Sequence, residues 1–366
     1  MFIHELDEWP KFTWKIESFV NLLGEVRNLQ GHLLGRMASI GFDMRKLASL
    51  DSVTLEILKT SEIEGEIFNY DQVRSSVARK LGLQIAGLVS SDRHIDGMVD
   101  MMIDATQNYK EPLSKSRLFE WHNAIFPIVN NSNNKIQIGN WRNDALGPMQ
   151  VVSGAMGREK VHFQAPDSHR LEMEMAQFLD WFNSGSNEDQ VLKAAIAHIW
   201  FVTVHPFDDG NGRITRAITD MLLARSDSSF QRFYSMSAQI RIERKQYYEI
   251  LEKTQKGDLD ITDWITWFLN CLKNSLQASD LLLTSILQKS DFWINNTDKI
   301  INERQKKILN LCLDGFNGSL NSSKYAKICK CSKDTAIRDI NDLIEKGMLT
   351  KEDAGGRSTH YLIKHT

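Results

Sequence analysis

His205-Pro206-Phe207-Asp208-Asp209-Gly210-Asn211-Gly212-Arg213-Ile214-Thr215-Arg216 packs a base, carboxylates, two glycines, an amide and two arginines into one short stretch. No purely structural role needs that collection. Residues 191–204 upstream form an unbroken apolar run, and residues 214–224 downstream repeat apolar side chains at helical spacing. The stretch is therefore predicted to be the loop between two helices together with the N-terminus of the second. Such a place is an anion site: unpaired backbone N–H groups around residues 210–213 and the positive end of the helix dipole face one point, and glycines let a phosphate come close. Arg213 and Arg216, three apart, lie on one helical face and can each fork onto a further phosphate.

Other loops of similar composition do not fit. Counted from Asp208, an EF-hand needs glycine at its sixth position and glutamate at its twelfth, where this chain has Arg213 and Thr219. A Walker loop ends in Gly-Lys-Ser/Thr, which is absent. His198 and His205 are seven apart and lack the close pairing and third ligand of a zinc helix. A plain helix–turn–helix corner would not also demand His, Asp and two Arg.

The stretch resembles the Fic signature, His-x-Phe-x-Asp/Glu-Gly-Asn-Gly-Arg-x-x-Arg, at every position. Fic proteins are α-helical enzymes that move the AMP part of ATP onto a protein hydroxyl with release of pyrophosphate. The resemblance implies that His205 is the general base on a Ser, Thr or Tyr hydroxyl and that Asp209 holds Mg²⁺ against the phosphates. It further implies that Asn211 with the Gly210 and Gly212 amides cradles the α- and β-phosphates, that Arg213 binds the β-phosphate, and that Arg216 binds the γ-phosphate. These roles suit the side chains: a histidine with a pKa near ~6.5 matches proton transfer at neutral pH, and arginines with a metal stabilise charge on leaving pyrophosphate.

The rest of the chain is ordinary in composition. Its 366 residues exceed what one core usually serves. With 42% hydrophobic and 25% charged residues and a net charge of −3, it is a globular chain with no whole-protein attraction to nucleic acid or membrane. The N-terminus has no basic-then-apolar leader and no run reaches the ~18 apolar residues of a membrane span, so a cytoplasmic location is expected. Cys271, Cys312, Cys329 and Cys331 fit a reduced compartment and lack zinc spacing.

Three regions are expected: a helical N-terminal region over 1–110, the Fic core over 111–290 and a winged helix–turn–helix over 291–366. The fold class is thus mainly α with a small β-hairpin. In the first region Thr60-Ser61-Glu62-Ile63-Glu64-Gly65 resembles the inhibitory helix, Ser/Thr-x-x-x-Glu-Gly/Asn, that many Fic proteins carry. The resemblance pairs Glu64 with Arg216 in a partly buried, bidentate ion pair at the γ-phosphate position. In the core, residues 130–135 read as a polar loop. The runs Met149-Gln150-Val151-Val152-Ser153-Gly154 and Lys160-Val161-His162-Phe163 read as a hairpin. It corresponds to the flap that holds the target segment by strand addition in Fic proteins, with Val152 and Ser153 placed at the nucleotide. His162 reads as a lone strand histidine, packed or solvent-facing. Tyr247 and Gln255 correspond more loosely to the adenine and ribose pocket.

In the C-terminal region, Ser332 is a natural N-cap for a recognition helix carrying Lys333, Thr335 and Arg338, with Arg357 at a wing tip. Lys324, Lys327, Lys330 and Lys333 make a local basic strip suited to DNA phosphates, while Asp334, Asp339 and Asp342 count against it. Winged helices also bind proteins or dimerise, so a homodimer stands beside DNA as a partner, along with ATP and a hydroxyl-bearing protein target. Two rival readings remain: a DNA-binding regulator with an ATP-sensing core, and a Fic enzyme that transfers another phosphate-containing group or removes AMP. Gly212 speaks against the kinase-like branch, whose members resemble Doc with Lys at that position.

Overall fold

The computed structural model describes residues 1–83, 87–127, 136–145, 147–153, 160–185, 188–313, 320–352 and 359–364. The loop expected at 130–135, Gly154 and the wing tip at 355–357 lie outside them. The chain divides into two compact units, Met1–Ser279 and Asp280–Thr366. Among the described residues no helix is long and apolar enough to cross a membrane, and the four cysteines are free, Cys271 buried and the others half-buried.

The first unit is helical. In order it holds α1 (Val20–Ser39), α2 (Phe42–Ile63), α3 (Tyr70–Lys80), α4 (Arg93–Gln107), α5 (Lys115–Ile125), the hairpin β1 (Gln150–Ser153) and β2 (Lys160–Gln164), α6 (Leu171–Asn183), α7 (Gln190–Val204), α8 (Asn211–Asp227), α9 (Met236–Ile242) and α10 (Arg244–Gln255), then α11 (Thr262–Ile294), within which the division falls. Every residue of α7 from Val191 to Val204 is buried, as befits a helix that is apolar all round. The α7 helix starts where the Asp189 side chain accepts the N–H of Val191, and α8 packs against it. The loop 205–210 is thereby held at one end of the central helix pair.

α2 ends on glycine chemistry. Gly65 has φ +89, its N–H donates to the Glu62 carbonyl (3.2 Å), and the Glu66 N–H donates to the Ser61 carbonyl (3.0 Å). This is the Schellman closure, in which the left-handed residue after the cap pairs the last carbonyls of the helix. Only glycine adopts that φ without a steric cost.

The hairpin pairs antiparallel, Gln150 opposite Gln164 and Ser153 opposite Lys160, with a bulge between Val151 and Val152. β1 is exposed along its length, while Phe163 on β2 is buried. Phe163 is met edge-on by Phe2 at 5.2 Å, and His4 Nε2 lies 2.8 Å from the Gln164 carbonyl.

The second unit contains α12 (Glu303–Leu313), α13 (Ser322–Cys329), α14 (Lys333–Glu345) and the antiparallel pair β3 (Leu349–Lys351) and β4 (Tyr361–Ile363). Its core is built on Leu309, Tyr325, Ile340, Leu343 and Met348. Ser332 caps α14 by accepting the Thr335 N–H at 3.1 Å.

Candidate functional site

His205 ends α7 in the left-handed region, φ 49 and ψ 58, a conformation rare for a residue with a Cβ. Neighbours over-determine it. Its N–H donates to the Phe201 carbonyl (3.0 Å), and the Arg142 Nε donates to its carbonyl (2.8 Å). Arg142, 3% exposed, also donates from its backbone to the Pro206 carbonyl. The His205 Nδ1 lies 3.1 Å from the Val202 carbonyl. A carbonyl only accepts, so Nδ1 carries the proton and the Nε2 lone pair is the basic one. Burial lowers the His205 pKa below its usual value, against the raising effect of the Val202 bond, with Arg142 lowering it further. The ring is neutral at pH 7.

Asn211 clasps the loop. Its Oδ1 accepts the Phe207 N–H (2.9 Å) and its Nδ2 donates to the Phe207 carbonyl (2.7 Å). These two bonds fix the Asn211 side chain across the loop, and the amide nitrogen keeps a second N–H beyond the one given to Phe207. Gly210 has φ 80, and a Cβ there would stand 2.8 Å from Ile125 Cδ1. The Gly210 N–H is taken by Asp209 Oδ1 (2.6 Å). The Asp209 side chain is otherwise 58% exposed. Beneath the loop, His122 stacks on Phe207 with ring centroids 4.2 Å apart, accepts the Gly139 N–H at Nδ1 (2.9 Å) and reaches the Asp209 carbonyl with Nε2 (3.2 Å). Burial takes its pKa down to about 4.

The two arginines face α2 and its closing turn. Arg216 is 3% exposed. Its Nη2 donates to Glu64 Oε1 (2.7 Å) and the Thr60 carbonyl (3.0 Å), and its Nε donates to the Thr60 hydroxyl. The pair is made through one carboxylate oxygen rather than the expected two, because Thr60 takes the other edge of the guanidinium. Burial raises the Glu64 carboxyl, but the Arg216 charge and hydrogen bond, then Arg213, overcome it and hold the pKa below the usual range. Arg213, 2% exposed, is held from the same turn: its Nη1 donates to both oxygens of Glu66 at 3.1 and 3.3 Å. Nothing in the sequence spacing pointed to Glu66, whose partner lies 147 residues away.

Tyr247 and Gln255, expected at the base and ribose, are 2% and 6% exposed. The Tyr247 hydroxyl lies 2.9 Å from His198 Nε2, while Gln255 Nε2 lies 3.3 Å from the Thr203 hydroxyl. Both side chains are thus buried and hydrogen-bonded within the protein. Val152 and Ser153 are exposed on β1. Ser153 Oγ is 2.5 Å from His162 Nε2, and His162 Nδ1 is 2.7 Å from Glu252 Oε2 on α10. His162 is therefore neither lone nor free; it ties the hairpin to α10.

A left-handed histidine, a glycine loop and two buried guanidiniums thus meet at a helix N-terminus on a helical scaffold. Residues 112–223 match the model of the Fic/DOC family, and residues 2–83 match that of a domain of unknown function, DUF4172. The chain is similar to the protein adenylyltransferase Fic of Drosophila willistoni, 33% identical over 34% of this chain and 25% of that protein. It is similar also to that of Drosophila ananassae, 27% identical over 60% of this chain and 40% of that one. It thus spans between a quarter and two-fifths of the length of these curated relatives. In fold it resembles the crystal structure of a Fic family protein from Desulfovibrio desulfuricans G20, with a TM-score of 0.54 at 18% identity over 98% of both chains.

Proposed function

We propose that this chain is a protein adenylyltransferase, transferring AMP from ATP to a Ser, Thr or Tyr hydroxyl of a protein, itself included, and restrained by Glu64 against Arg216. The observation that carries this is the neutral His205, with its basic Nε2 unspent, at one side of a helix N-terminus that presents two buried guanidiniums. A triphosphate suits that charge pattern: its γ-phosphate takes Arg216 in place of Glu64, its β-phosphate takes Arg213, and the Gly212 amide faces the chain of phosphates. His205 Nε2 takes the proton of the acceptor hydroxyl, the hydroxyl oxygen bonds to the α-phosphorus, and the bond to the β-phosphate oxygen breaks, releasing pyrophosphate.

Asp209 fits a magnesium ion. Its side chain is 58% exposed and brings one carboxylate to the loop that leads into the N-terminus of α8. Mg²⁺ is bound in this manner when phosphates and water supply most of its ligands. Bound there, it would neutralise charge on the departing pyrophosphate. Intact-mass measurement after incubation with ATP and Mg²⁺ tests the proposal: the added mass of one AMP supports it, and a phosphate or a full nucleotide would replace it with another transfer.

A second activity is favoured by the unit after Ser279. We read α12 to α14 with β3 and β4 as a winged helix that binds duplex DNA. Lys327, Lys330, Lys333 and Arg338 are exposed, whereas Asp339, which seemed to oppose DNA, is 8% exposed and bonded to Arg304 and Tyr325. One of the three opposing carboxylates is thus withdrawn from the basic face. Electrophoretic mobility shift at low salt is the direct test.

A further inference from the structure

The turn that closes α2 delivers two carboxylates to α8. Glu64 is the cap residue and Glu66 follows Gly65, so the Schellman closure fixes both together. Arg213 is 2% exposed, and Phe126 lies against the face of its guanidinium, 4.9 Å from ring centroid to Cζ. A cation in that position needs a charge partner. Glu66 supplies it, but only through Nη1; the Nε finds no hydrogen-bond partner, and Asp209 stands 3.8 Å from Nη2, beyond a hydrogen bond. The guanidinium is therefore half satisfied, with donors left for another anion. Glu66 itself is 36% exposed in its side chain, and His94 Nε2 lies 3.7 Å from its Oε2.

We propose that Glu66 is a specificity-determining residue of the nucleotide site: it covers the Arg213 phosphate seat independently of Glu64, and so sets which nucleotides enter. The inference rests on the nucleotide reading above. Each buried guanidinium has its own carboxylate, so each phosphate faces a separate competitor. AMP contests neither arginine. ADP must displace Glu66 to reach Arg213. ATP must displace both carboxylates, each from its own guanidinium. A triphosphate is selected because only it offers each guanidinium a replacement as strong as the carboxylate it loses, whereas a diphosphate replaces Glu66 alone.

Calorimetric titration of the full chain with ATP, ADP and AMP in the presence of Mg²⁺, comparing wild type, Glu64→Gln and Glu66→Gln, tests this. Glu66→Gln is expected to tighten ADP and ATP by about three- to tenfold, a hydrogen-bonded charge discounted for its exposure, and to leave AMP unchanged. Glu64→Gln is expected to tighten ATP alone. Glu66→Asp keeps the charge but shortens the reach, and should also tighten ADP, which guards against a folding defect in the first variant. If ADP affinity in both Glu66 variants stays within about twofold of wild type while Glu64→Gln tightens ATP, Glu66 has no such role and the nucleotide reading stands. If no nucleotide binds wild type or any variant, both are overturned.

Discussion

A Cβ built on Gly212 would come within 2.1 Å of Glu64 Oε1. The bare backbone at Gly212 is what lets the carboxylate lie at the N-terminus of α8, 2.7 Å from Arg216. Under the proposed function a phosphate would need that same bare backbone, so the two would compete for one place.

Removing the carboxylate should release the enzyme. Glu64→Gly is expected to raise AMP incorporation by more than the about fivefold that a surface ion pair could account for, since Arg216 is 3% exposed. Arg216→Ala in the same background should take the gain away. Labelling at equal protein and ATP decides it, and equal rates for wild type and Glu64→Gly would end the autoinhibition reading.

His205→Ala should abolish transfer and leave ATP affinity nearly unchanged, because the ring acts on the hydroxyl. The direction of its pKa shift also fixes a pH profile. The base works when unprotonated, and burial lowers its pKa below the usual ~6.5, so the rate should hold through neutral pH and fall only on acidification below that value. A rate that already halves above pH 7 would assign the limb to another group.

Under the proposed function Asp209→Ala should lower the rate and flatten its dependence on magnesium together, because it removes the exposed carboxylate proposed to hold the ion. A magnesium titration matching that of wild type would place the ion elsewhere.

Gly65→Ala separates stability from activity. At φ +89 a Cβ costs roughly 1 kcal/mol or more, so the melting temperature should fall. The same strain loosens the turn that presents Glu64 and Glu66, so transfer should rise. A variant that is less stable and also less active would show that the turn only supports the fold.

Lys333→Ala combined with Arg338→Ala should weaken duplex DNA binding and reduce its salt dependence by about two charges. Wild type that fails to shift duplex DNA at low salt would assign the unit to protein contacts.

Local chemistry explains what was legible. The loop between two helices, the antiparallel runs around Val151 and Val161, and the Ser332 cap each follow from side chains a few residues apart, whose preferences act on their own backbone. The pairing of Glu64 with Arg216 was legible only because a family resemblance joined two distant motifs; neither stretch alone names its partner. Packing added contacts that the resemblance did not name: Asn211 bonds across its own loop to Phe207, and the buried Tyr247 lies against His198.

The sequence by itself determined the helix ends around the 205–210 loop, the hairpin runs and the Ser332 cap, since these depend on local preferences and spacing within one or two turns. Only the tertiary structure decided that Glu66 meets Arg213 across 147 residues, that Arg142 holds the His205 carbonyl across 63, and that His162 meets Glu252 across 90. The reason is physical: a charged side chain has no local signature of its partner. Glutamate on an acidic helix end is as stable in water as against a guanidinium until burial of that guanidinium makes the pairing necessary, and burial is a property of the packed helices, not of the string of residues.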